Sequence, residues 1–70
     1  MTTKRDPRVD PRPGDVVRQR TPFTLTKTVR AVADEIVRWT DLHGAEHTET
    51  VWAWRWDCRA CLSEIVKVAE

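Results

Sequence analysis

The apolar positions of the chain fall into short blocks separated by polar and turn-forming residues. Val16-Val17 follows a Pro13-Gly14 turn. Residues 24–33 are rich in threonine and valine and end at Asp34-Glu35, a predicted hairpin turn. Residues 36–40 are again β-branched and aromatic. Residues 42–47 contain Gly44 and predict a loop, residues 48–56 alternate clearly, and residues 65–68 close the chain. Blocks of about 5–9 residues with this composition, bounded by turn signals, predict five strands. Val29, Val32, Ile36 and Trp39 also fit a helical spacing, but the density of β-branched residues and the absence of a preceding cap favour a strand there. Asp57 can cap a single helical turn through residues 58–62, between the fourth and fifth strands. Residues 1–13 hold Pro7, Pro11 and Pro13 and repeat Asp-Pro-Arg. Proline fixes φ and removes a donor, so this segment predicts an extended, polyproline-like arm. The arm either trails as a tail or docks on its own domain or a partner.

Five short strands with one helical turn before the last is the order of an SH3-like barrel. Pro13-Gly14-Asp15-Val16-Val17-Arg18 resembles the opening strand of such barrels. These include nucleic-acid-associated KOW-type domains and ribonuclease toxins that begin with a Gly-Asp-Val strand. Ile36-Val37-Arg38-Trp39 resembles the third strand, and Ser63-Glu64-Ile65-Val66-Lys67-Val68 the closing one. The resemblance covers roughly residues 13–69. It implies an all-β fold: a small five-stranded SH3-like barrel at 14–70, with the extended arm at 1–13. In style the chain is also similar to small barrels encoded by phages and prophages, which implies a module that acts on a host protein or complex. The catalytic residues of the toxins have no clear counterpart here.

Composition narrows the function. Seventy residues form one domain and leave no room for the large catalytic scaffolds. A net charge of +1 argues against a simple coat for polyphosphate. The charge is uneven, with a basic first third and an acidic second half. Two glycines leave no phosphate loop, no nucleophile elbow or zinc-protease motif is present, and Ser63, the only serine, has no evident base beside it. A non-enzymatic role is therefore expected. No apolar run reaches the ~20 residues of a membrane span, and no signal peptide is visible at the N-terminus. A cytoplasmic location is expected, with Cys58 and Cys61 reduced.

Three sets of residues carry candidate chemistry. Trp52, Trp54 and Trp56 share one face of a strand, with Val51, Ala53 and Arg55 on the other. The interior of a small barrel is only just filled by side chains. Trp52 and Trp54 are therefore expected in the core and Trp56 at least half exposed. Trp54, Trp56, Arg55 and Trp39 form the expected partner-binding set, because tryptophan and arginine dominate interface hot spots. Another protein is the expected partner. The alternative is nucleic acid bound by the basic arm, through Lys4, Arg5, Arg8, Arg12, Arg18 and Arg20, with steep salt dependence. A second alternative is zinc on His43, His47, Cys58 and Cys61, whose H-x3-H and C-x2-C spacings are ones the metal uses. A continuous strand over 48–56 spans about 30 Å, so barrel and zinc site largely exclude each other. No other cofactor is expected. The chain is expected to be a monomer, or a weak homodimer paired through an exposed first or last strand.

Overall fold

The structure, a computed structural model, describes residues 5–69. Its elements are β1 (Val16–Gln19), β2 (Leu25–Ala33), β3 (Ile36–Thr40), β4 (Glu46–Thr50), α1 (Val51–Ala60) and β5 (Glu64–Lys67). The five strands form one antiparallel sheet in the order β4-β3-β2-β1-β5. The mainly-β character matches the expectation, but the sheet is open, with β4 and β5 as its two edges. β1 lies inside the sheet, so of the two strands expected to offer a free edge only β5 does so. Among the described residues no helix is long and apolar enough to cross a membrane.

Local chemistry explains the strand ends. Asp34 and Glu35 both adopt positive φ, 51° and 61°, and form the two-residue turn expected between β2 and β3. The Asp41 carboxylate accepts the amides of His43 and Ala45, which closes the β3–β4 turn around Gly44. That turn is shorter than the loop expected over 42–47, because His47 already belongs to β4. In β2 the register slips at Arg30, so that Val29 pairs with Trp39 while Val32 pairs with Val37. The bulge admits one extra residue and turns both valines towards the core. Their helix-like spacing is thus the imprint of a bulge.

The largest departure from the sequence reading is over residues 48–56. The strand stops at Thr50, whose extended backbone and hydroxyl make it a helix N-cap, with the Ala53 amide donating to its Oγ1 at 3.0 Å. A ten-residue helix follows, in place of one turn capped by Asp57. The stretch 52–62 contains no β-branched side chain, which removes the main local resistance to a helix. α1 carries the chain from the β4 edge to the β5 edge. It sets Trp54 and Cys58 onto Val17, Val29, Val37 and Trp39, with Leu25, Val32 and Val51 packed around them. The helix thus supplies the apolar cover that barrel closure would otherwise give this face.

The N-terminal segment is folded rather than extended. The Asp6 carbonyl accepts the amides of Val9 and Asp10 in a turn, and Pro7 and Pro11 are buried. The Pro7 carbonyl accepts the Trp54 Nε1–H at 2.8 Å. The arm therefore docks on its own domain. Asp15, fully buried, joins both ends of the chain. It accepts the Arg5 guanidinium on both oxygens, the Arg12 amide at 2.8 Å and the Ala69 amide at 2.7 Å, while Arg5 also reaches the Ala69 carbonyl at 2.7 Å. Burial works to raise the Asp15 carboxyl, but Arg5 and the two amides overcome it and hold it below the usual carboxylate range.

Candidate functional site

The helix divides the tryptophans differently from a strand. At 3.6 residues per turn, Trp52 and Trp56 lie one turn apart on one face, and Trp54 lies on another. Trp54 is 0% exposed and belongs to the core, so it leaves the partner-binding set. Trp39 leaves it as well, being buried under the helix and stacked on His47 at 4.2 Å between ring centroids. Trp56 is 58% exposed, in keeping with expectation, but Trp52 is 73% exposed instead of buried. Their rings are nearly parallel, 3° apart in plane, with centroids at 6.4 Å. Arg55 and Arg59 are exposed on the same side of the helix. Arg55 Nε donates to the Val9 carbonyl at 2.6 Å, leaving its two Nη groups without protein partners among the described residues. Trp52 and Arg59 are the two site residues that the strand reading missed. The i, i+3, i+4, i+7 spacing of Trp52, Arg55, Trp56 and Arg59 is the signal that finds them once the segment is read as a helix.

A polar cluster lies under the helix. The Lys27 ammonium is buried 4.8 Å from the centre of the Trp39 ring and 5.4 Å from that of Trp54. Cation–π attraction accommodates it there. Its one ionic partner among the described residues is Glu49, at 3.9 Å. Burial first, and then Asp57 nearby, push the Glu49 carboxyl up to about 7, against the opposing pull of Lys27. Glu49 Oε1 and Trp39 Nε1 are buried without a hydrogen-bond partner, so the cluster is a costly one to keep. Burial also pushes the Cys58 thiol up to about 11, which keeps it a neutral thiol at ordinary pH.

The remaining candidate sets are dispersed. Lys4 lies outside the described residues. Arg5 is committed to Asp15, Arg8 to Asp6 and Arg12 to Asp10, and Arg18 and Arg20 share Glu64. The five described arginines of the nucleic-acid set therefore face acids of their own domain. The zinc set is not brought together either. His47 stacks on Trp39 and contacts Asp41 at 3.0 Å, His43 stays on the exposed turn, and Cys58 is buried against the core. Among the described residues no group of three or more His, Cys, Asp or Glu side chains is placed to hold a metal ion.

Comparison with protein-family models, with curated proteins and with solved structures found no match for this chain. The class that fold and site define is a small open-sheet β domain with one covering helix and an aromatic-basic outer face.

Proposed function

We propose that this chain is a non-enzymatic binding module that recognises another protein through the outward face of α1. The observation that carries the reading is the pair of stacked, solvent-facing indoles of Trp52 and Trp56, set beside Arg55 and Arg59. A domain this small has little apolar surface to spare, and it nevertheless leaves two of its four tryptophans outside the core. Covering what the two indoles still expose, about 260 Å² together, at about 25 cal/mol per Å² contributes up to about 6 kcal/mol to a complex before the cost of association is subtracted. The reading of the fold as an SH3-like barrel rests on the strand order and on the helix before the last strand. An action on a host protein, in the manner of small phage or prophage proteins, rests on the resemblance alone. Nucleic-acid binding through the arm is the weaker reading, because the described arginines of the arm already have acidic partners.

The test is affinity capture from a bacterial lysate, with and without nuclease, using the wild type and a Trp52→Ala/Trp56→Ala double variant. A protein retained after nuclease treatment and lost with the double variant is the expected result. Recovery that disappears with nuclease, or that is indifferent to the two substitutions, refutes the proposal.

A further inference from the structure

Two grooves flank the outward face of α1, and Arg55 forms part of the wall of both. One, of about 420 Å³, runs towards the β2–β3 turn, with Asp34 and Glu35 at its far end and Ile36, Val51 and Trp52 along it. The other, of about 430 Å³, runs towards the N-terminal segment, with Val9 and Cys58 beside Asp6, Arg8 and Arg59. The chemistry is therefore graded: acidic at the hairpin, apolar in the middle, and net basic towards the arm, where Asp6 balances Arg8 and the excess comes from Arg55 and Arg59.

The charges at the two ends differ in how far they are already used. Arg8 is held by both oxygens of Asp6. Arg59 makes no ion pair and no side-chain hydrogen bond among the described residues, and Arg55 uses only its Nε. Two guanidinium groups one helical turn apart thus present unused donor forks beside an apolar floor. Such forks match the two oxygens of a carboxylate. Asp34 and Glu35 likewise make no ion pair among the described residues, so the hairpin end repels an acidic group and admits a basic one.

Resting on the reading of this helix face as the binding surface, we propose that the two grooves hold an extended peptide segment of the partner. Its central apolar side chain packs between Ile36 and Trp52, and an acidic side chain on one side of it is received by Arg55 and Arg59. The charge gradient fixes the direction in which the segment lies. Extended backbone advances about 3.3 Å per residue, so the apolar and acidic groups are separated by a few residues of peptide.

The test is selection of an mRNA-displayed library of random dodecapeptides on the immobilised wild-type chain. The selected peptides are then measured on Arg59→Glu, on Arg59→Gln and on the Trp52→Ala/Trp56→Ala variant. Circular dichroism first establishes that each variant is folded. The expected result is enrichment of peptides with an apolar residue near an acidic one. Their affinity should fall at least tenfold in Arg59→Glu, less in Arg59→Gln, and be lost in the tryptophan variant. Peptides that need the tryptophans but show no acidic excess, or bind Arg59→Glu as well as wild type, overturn the charge proposal and leave the binding face standing. Peptides indifferent to the tryptophans overturn both. No enrichment at all overturns the peptide proposal, and the lysate experiment then decides the binding face separately.

Discussion

Glu49 should make the stability of the domain fall as pH rises from the acid side towards neutrality. Its carboxyl, raised from 4.5 to about 7 in the folded chain, keeps its proton more tightly there than in the unfolded chain. Below its unfolded value both states are protonated and its full contribution is present. As pH rises from about 4.5 to about 7, the unfolded chain gives up the proton that the folded chain keeps, so stability falls across that interval and levels off once the folded carboxyl also ionises. At about 1.4 kcal/mol per pH unit the whole interval corresponds to a ceiling of about 3 kcal/mol. Attraction to Lys27 is already contained in that value, and solvent screening of the partly buried carboxyl reduces the ceiling, so a loss of about 1–3 kcal/mol between pH 5 and pH 8 is expected. That is a large share of the stability of so short a chain. Glu49→Gln copies the shape of the protonated side chain without its titration. It should match the wild type within about 1 kcal/mol at pH 5 and exceed it by about 1–3 kcal/mol at pH 8. Urea unfolding followed by tryptophan fluorescence measures both. With a slope near 1 kcal/mol per M, the wild-type midpoint should drop by about 1–3 M across this range. A wild-type midpoint that does not move, or a Glu49→Gln midpoint that falls in parallel with it, would refute the assignment.

Other outcomes follow from the same contacts. Trp54→Ala should cost about 3–5 kcal/mol or abolish folding, whereas Trp52→Ala and Trp56→Ala should each change stability by less than about 1 kcal/mol; thermal denaturation of the three variants checks the division. Removal of residues 1–9 takes away the Arg5 fork on Asp15 and the Pro7 acceptor of Trp54. It should destabilise the domain by at least about 2–3 kcal/mol, seen as a lower urea midpoint. Because Asp15 titrates below the usual range, wild-type stability should also fall as pH drops below about 4, and this acid limb should be much reduced in the truncated chain. Replacement of Asp34-Glu35 by Asn-Gly suits the positive φ at both positions and should raise Tm by about 4–8 °C, equivalent to about 1 kcal/mol.

The strands were legible in the sequence where the alternation was local. Val17 and Gln19, Lys27 and Val29, and Val37 and Trp39 turn inward at period two, and Asp34-Glu35 marks its turn plainly. Two features broke the reading for different reasons. The Arg30 bulge changes the period within one strand, and nothing in the side chains of Val29 or Val32 announces that their spacing comes from a bulge. The segment Val51-Trp52-Ala53-Trp54-Arg55-Trp56 alternates as a strand would, yet it also satisfies a helix, since residues 52 and 56 are equivalent at period 3.6 as well as at period two. Thr50 as cap and the lack of β-branched residues after Val51 were the local signs that decided it. Docking of the arm on its own domain was one of the readings the prolines left open, but its contacts were not legible, because the Pro7–Trp54 bond joins residues 47 positions apart and depends on where the helix puts the indole.

The helix therefore links fold and site. Were residues 48–56 a strand, all three indoles would share one face and compete for the same interior. As a helix, the segment sends Trp54 into the open sheet and keeps Trp52 and Trp56 outside with Arg55 and Arg59. The arm reinforces the same arrangement, since Pro7 satisfies the buried indole while the carbonyl of Val9 steadies Arg55 at the junction of the two grooves. Loss of the arm should consequently weaken partner binding through the placement of Arg55, even where the remaining domain stays folded.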